Sequence, residues 1–193
     1  MRSERDGAEL QTPRLHLRAW RDEDLDELAT LCADPAVMRH FPAPLSREQS
    51  QALLTRLQAH FAQHGFTFWS LWHREDGRFV GMTGLAQVGF EASFTPAVEI
   101  GWRLSPAFWR QGLAREAARA SLDFAFARLA VDRVVAFTTL SNTPSQRVMQ
   151  ALGMQPAGEF EHPALAPEHP LCRHVLYELP RDKWPKRGRA CRQ

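Results

Sequence analysis

The residues best suited to chemistry lie in two stretches. The first, Glu99-Ile-Gly-Trp-Arg-Leu-Ser-Pro-Ala-Phe-Trp-Arg-Gln-Gly-Leu-Ala-Arg-Glu-Ala117, reads as a strand, a Pro-containing turn and a helix start bearing Gly112 and Ala114. The first N–H groups of a helix have no partner within it, and its dipole presents a partial positive charge. Small residues there let an anion such as a pyrophosphate approach the backbone, so the stretch is a candidate anion cradle. The same residues also make an ordinary strand-to-helix connection in which Gly112 only relaxes the turn. The second stretch, Leu140-Ser-Asn-Thr-Pro-Ser-Gln-Arg-Val-Met-Gln-Ala-Leu-Gly153, sets Asn142 and Ser145 three apart at another helix start, where both can face one cleft. Helix capping by Asn142 or Thr143, with Pro144 in the first turn and Gln146 closing a box, accounts for most of this stretch.

A third concentration of polar groups, in residues 158–174, holds His162, His169, Cys172 and His174 with three prolines. Its spacing matches no common zinc motif, and no metal is expected. Long loops in compact domains tend to carry function, so this one is expected to shape a substrate pocket, with Glu161 and His162 as secondary candidates for a base or for substrate contact. Cys172 lacks a recognisable orienting acid or oxyanion cradle and is set aside as a nucleophile. The aromatic residues Phe66, Phe68, Trp69, Trp72, Trp102, Phe108 and Trp109 lack interleaved basic residues and read as core.

The elements that must position these groups follow from periodicity. Residues 14–20 alternate as a strand, helical spacing runs from Leu25 to Cys32, and Ser46 with Gln49 forms a capping box ahead of a second helix. Residues 66–73 and 78–88 read as a hairpin about Glu75-Asp76-Gly77. In 97–104, Val98, Ile100, Trp102 and Leu104 share one face, leaving Glu99, Gly101 and Arg103 on the other. A helix over about 112–129, a strand at 133–139, a helix over about 143–152 and a final strand pair complete the order β-α-α-β-β-β-α-β-α-β-β. The pattern is that of one mixed α/β domain over residues 1–180, followed by a basic tail at 181–193.

Composition narrows the classes further. The 193 residues suffice for one sizeable core, and 24 Lys+Arg against 22 Asp+Glu leave only +2, too near balance for nucleic-acid binding by bulk charge. The tail alone carries +5, leaving −3 for the rest, and reads as a solvated end. No run approaches a membrane span and the first ten residues are too charged for a secretory segment, so a cytoplasmic location away from membranes is expected. Three dispersed cysteines, Cys32, Cys172 and Cys191, argue for free thiols.

In this order and spacing, the two main stretches resemble the GNAT superfamily of acyl-CoA N-acyltransferases, most closely its branch of ribosomal-protein alanine acetyltransferases. Thr12-Pro-Arg-Leu15 opens like that branch. Trp109-Arg-Gln-Gly-Leu-Ala114 stands where the superfamily has [Q/R]xxGx[G/A], and Asn142xxSer145 with Leu152-Gly-Met154 resembles its second CoA motif. The departures are Trp109 for Gln or Arg and Ala114 for the second glycine.

The resemblance implies a central mixed, mostly antiparallel sheet, flanked by helices and splayed between its fourth and fifth strands to admit a pantetheine arm. It implies acetyl-CoA as acyl donor, a primary amine as acceptor, and direct attack in a ternary complex. Backbone amides of Leu104, Gln111, Gly112, Leu113, Ala114 and Arg115 would then hold pantetheine and pyrophosphate, with Arg110 and Arg115 as additional phosphate contacts. Asn142 matches the pantetheine-contact position, and Ser145 the donor to the departing thiolate. For the general base the leading candidate is Glu99, beside the loop and opposite the apolar stripe. A longer acyl-CoA, or a non-catalytic CoA-binding module, are the rival functions. Exposed sheet edges and a loop-borne pocket make a homodimer reasonable.

Overall fold

The computed structural model of the chain describes residues 9–185. The polypeptide forms β1 (Leu10–Gln11), β2 (Leu15–Arg18), α1 (Leu25–Ala33), α2 (Arg47–His64), β3 (Phe68–His73), β4 (Phe79–Gln87), β5 (Val98–Leu104), α3 (Leu113–Arg128), β6 (Arg133–Thr139), α4 (Thr143–Ala151), β7 (Gln155–Glu161) and β8 (Arg173–Pro180). The eight strands make one sheet in the order β1-β2-β3-β4-β5-β6-β8-β7. All neighbours are antiparallel except β5 and β6, the parallel pair joined through α3, as a parallel connection requires a crossover. One strand escaped the periodicity: β1 is two residues long and shows no alternation, being defined by its pairing with β2.

Local sequence fixes the helix ends. Ser46 caps α2 and accepts from the Gln49 N–H, while the Gln49 side chain accepts from the Ser46 N–H, the expected capping box. Before α1, the buried Arg18 guanidinium forms two hydrogen bonds with the Asp24 carboxylate at 2.8 and 2.7 Å, and Asp24 also accepts from the Arg21 N–H. The charge is thereby paired on its way into the core.

Sheet alternation divides the interior. Val98, Ile100 and Leu104 of β5 join Val134 and Ala136 of β6 in a core under α3, with Leu113, Ala117, Ala118 and Leu122. On the opposite face, Met82 and Phe68 pack with Leu28, Leu31, Leu54 and Leu57 of α1 and α2. Farther along that second face, Phe90 and Phe94 of the β4–β5 connection pack against Phe137 and Phe160. Glu99, Gly101 and Arg103 point to this second face, opposite Ala86, Gly84 and Met82 in register.

The packed domain extends beyond residue 180, where the sequence placed its boundary. The Arg181 guanidinium donates to the carbonyls of Phe126, Leu129 and Val131 behind the end of α3, and Trp184 is buried with its indole N–H on Asp123. Cationic donors suit the unsatisfied carbonyls there. The rest of the expected tail, 186–193, lies outside the described residues, as does Cys191.

Candidate active site

The splay falls where the resemblance implied, between the strands here numbered β5 and β6. Their pairing is confined to Val98↔Val134 and Glu99↔Val135, although β5 continues to Leu104 and β6 to Thr139. Beyond Glu99 the strands part, and a cavity of about 1130 Å³ opens, lined from β5, β6, the starts of α3 and α4, the α1–α2 connection and the β7–β8 connection. Ser105 N–H bonds to Val80 on the β4 side. Strand alternation therefore points the N–H groups of Leu104 and Trp102 into the gap, where an extended amide-bearing chain can pair with them.

One wall of the cavity is the start of α3. Arg110 and Gly112 both have positive φ, 60° and 76°, the second turning the chain into the helix at its N-cap. The left-handed conformation is cheap for glycine and uncommon for arginine. Successive amides turned in this way form an anion-binding concavity. Trp109, the departure from the superfamily pattern, donates its indole N–H to the Leu104 carbonyl at 2.7 Å, closing the turn that carries the cradle. From outside, Glu116 accepts from the Thr12 hydroxyl (2.6 Å), the Arg14 N–H (3.0 Å) and the Arg14 guanidinium (2.7 Å), while Arg14 also donates to the Gln111 carbonyl. Burial alone would raise the Glu116 carboxyl, but those hydrogen bonds and the Arg14 charge hold it below its ordinary value.

Most of the expected cofactor residues line the cavity: Leu104, Arg110, Gly112, Leu113, Ala114, Arg115, Asn142 and Ser145. Gln111 does not; its side chain turns back to the Ala107 carbonyl and its own carbonyl is taken by Arg14. The exposed Arg110 and Arg115 have no ion pair among the described residues. Asn142 is the N-cap of α4. Its Oδ1 accepts from the Ser145 N–H at 3.3 Å, and its Nδ2 donates to the Thr138 hydroxyl at 2.8 Å. Gln146 reaches the Leu140 carbonyl instead of closing a box. The cap thus fixes the Ser145 backbone and leaves the Ser145 hydroxyl without a protein partner among the described residues. Tyr177, the single tyrosine, is buried outside the cavity and accepts from Gln150.

Glu99 stands where the strands begin to part, half-buried and lining the cavity. No hydrogen bond or ion pair reaches its carboxyl from the described residues, and burial pushes it up from 4.5 to about 7. A carboxyl so placed is half-ionised near neutrality, the condition for accepting a proton there.

The third candidate region divides by strand alternation. His162 lines the cavity, whereas Glu161 is exposed and sits on the other face of β7 with Glu159, opposite Arg173 in register. Glu161 therefore does not line the cavity with His162, a separation only the pairing of β7 with β8 shows. His174, which sequence reasoning did not single out as a contact, faces His162 at 5.1 Å between ring centroids. Its Nδ1 bonds to the Cys172 carbonyl, which makes that nitrogen the donor and leaves Nε2 an acceptor. His162 Nδ1 instead accepts from the Ala164 N–H, leaving Nε2 the donor. Burial holds both rings below the usual imidazole range. Also unforeseen are Arg39, His40 and Phe41 of the α1–α2 connection and Arg103 of β5, all on the lining. Strand alternation alone puts Arg103 on this face, but nothing local indicates what covers it. The described residues contain no group of three or more metal-ligating side chains.

Comparison with known proteins agrees with this geometry. Residues 14–155 match the acetyltransferase (GNAT) domain family. The FsC-acetyl coenzyme A-N(2)-transacetylase of Aspergillus fumigatus is 31% identical over 183 residues, 91% of this chain and 77% of the relative. A GNAT-family acetyltransferase from Bacillus anthracis superposes with a TM-score of 0.75 at 22% identity, covering 91% of this chain and 99% of that one. RimL, a ribosomal L7/L12 alpha-N-protein acetyltransferase solved with coenzyme A, gives 0.74 at 18% identity over 91% and 99%. The chain belongs to the GNAT acetyltransferase family. It is an acyl-CoA N-acetyltransferase, and transfer of an acetyl group is its chemistry.

Proposed function

We propose that the protein transfers the acetyl group of acetyl-CoA directly to a primary amine, with Glu99 as general base and Ser145 as donor to the departing sulfur. The observation that carries this reading is the convergence on one splayed cavity of a half-ionised carboxyl and a hydroxyl, both without a partner among the described residues, and a backbone anion cradle. Bound there, acetyl-CoA supplies an activated thioester. The Gly112–Arg115 amides and the unpaired Arg110 and Arg115 would hold its phosphates. The N–H groups of Trp102 and Leu104 would pair with its pantetheine arm.

What remains for the chain is proton management. An amine must lose its proton to attack, and a carboxyl near 7 accepts it readily from an α-amine of ~8 and less readily from a lysine of ~10.4. The acceptor is therefore assigned to α-amines, of a protein N-terminus or a small molecule. Ser145 at the start of α4 lends a hydroxyl, reinforced by the helix dipole, to negative charge growing on sulfur.

Calorimetric titration with acetyl-CoA and desulfo-CoA, followed by assay of CoA release against amines and short peptides, tests the reading. Micromolar binding with amine-dependent release supports it. Failure to bind at millimolar ligand would overturn it, and binding without release from any amine would leave a CoA-binding module.

A further inference from the structure

The cavity contains a cation that neither the cradle nor the proton transfer uses. Arg103 lies on β5 four residues beyond Glu99 and on the same face, turned to the α1–α2 side and away from α3, whose start carries the phosphate cradle. Its guanidinium sits over the Phe41 ring at 4.2 Å and donates from Nη1 to the Cys32 thiol at 3.0 Å. Its Nε is buried without a hydrogen-bond partner, and no carboxylate pairs with it among the described residues.

A half-buried guanidinium held only by an aromatic ring and a thiol is costly unless something else satisfies it. Arg103 lines the cavity. Arg39, exposed on the same lining, adds a second cation with no ion pair among the described residues, and its charge, after burial, keeps His40 below the usual imidazole range. Between Glu99 and Arg103 the surface is apolar: the Phe68 ring lies so close over Gly101 that a Cβ there would meet it at 3.0 Å. The acceptor side thus presents a base, an apolar floor and a cation in a line of about 13 Å along the strand.

We propose that the acceptor is a small molecule carrying an α-amine and, across an apolar spacer, a carboxylate, its amine at Glu99 and its carboxylate on Arg103. This rests on the acetyltransferase reading above and names its substrate class. A guanidinium beneath the α1–α2 connection is accessible to a carboxylate at the end of a short molecule, whereas a protein N-terminus continues as neutral backbone. Arg103 fixes the acceptor and takes no part in proton transfer, so its loss acts on KM for the acceptor more than on kcat.

The test uses the full-length protein with CoA bound. Di- and tripeptides with free α-amines and free C-termini are titrated against their C-terminal amides, alongside ten-residue amidated peptides with neutral or acidic second and third residues. In the wild type, at least one carboxylate is expected to bind about tenfold or more tighter than its amide, as for hydrogen bonds to a charged group. Arg103→Met should abolish that preference and Arg103→Lys keep part of it. CoA titration of each variant reports whether the fold and cofactor groove persist. Equal binding of carboxylates and amides would overturn the proposal, as would a preference that survives in Arg103→Met, or one confined to long acidic peptides. Loss of CoA binding by the wild type would instead defeat the acetyltransferase reading itself.

Discussion

Glu99→Gln separates activity from stability, and the two should move in opposite directions. Burial displaces the carboxyl from 4.5 to about 7, and at ~1.36 kcal/mol per pH unit this amounts to about 3 kcal/mol against the ionised form in the fold. Glu99 is only half-buried and lines the cavity, which reduces the figure to about 1–2 kcal/mol. The folded value lies above the unfolded one, so the folded state holds the proton longer than the unfolded chain. Stability from this group is fully present below about pH 4.5 and is lost as pH rises through about 7.

Glutamine keeps the shape without the charge. The variant should therefore melt higher than wild type at pH 8 and with it at pH 4.5, by about 2–4 °C per kcal/mol for a domain of this size. Its acetylation rate should fall by ~10²–10⁴. The acidic limb of kcat/KM contributed by Glu99, expected near pH 7 in the wild type, should disappear, leaving the limb of the acceptor amine at ~8. Thermal melts at the two pH values and a pH–rate profile from 5.5 to 9 decide the matter. A variant within about threefold of wild-type rate, with the limb intact, would remove Glu99 from the mechanism. A variant less stable at pH 8 would show that the carboxylate has a partner in solution.

Ser145→Ala should lower kcat by about ten- to hundredfold with little change in acetyl-CoA affinity, measured by steady-state kinetics beside calorimetry. Gly112→Ala meets no steric obstacle, since its Cβ would find only the Arg14 guanidinium at 3.7 Å, but it must hold φ at +76°. It should cost about 1–2 kcal/mol in urea unfolding and weaken CoA binding. Glu116→Gln should destabilise by about 1–3 kcal/mol at pH 7. Because the Glu116 carboxyl is held below its ordinary 4.5, the wild type's advantage is present above that value and should vanish as pH falls through the lowered one, as unfolding at pH 7 and in acid would show. Asp24→Ala strands the buried Arg18 guanidinium and should cost about 3–5 kcal/mol by chemical denaturation.

What the sequence by itself determined is what depends on near neighbours. The Ser46–Gln49 box, the Asn142 cap and the Gly112 turn are contacts within four residues or conformations of one, so residue type and spacing specify them. Strand alternation likewise put Glu99 and Arg103 on one face opposite Val98 and Ile100, and the motif order identified the family. The tertiary structure decided what depends on distant partners. β1 exists through its pairing with β2, and the register of β7 against β8 turns His162 inward and Glu161 outward. Arg181 and Trp184 belong to the domain because α3 and the segment after it offer carbonyls and Asp123 to them. The same holds for two features of the cavity. The Glu99 carboxyl is pushed up to about 7 because elements remote from one another in sequence half-bury it where β5 and β6 part. Arg103 faces an apolar floor because Phe41, Cys32 and Phe68, remote from it in sequence, meet there. A side chain's identity and direction are local properties, but its dielectric surroundings and its partners are set by which segments the fold brings against it.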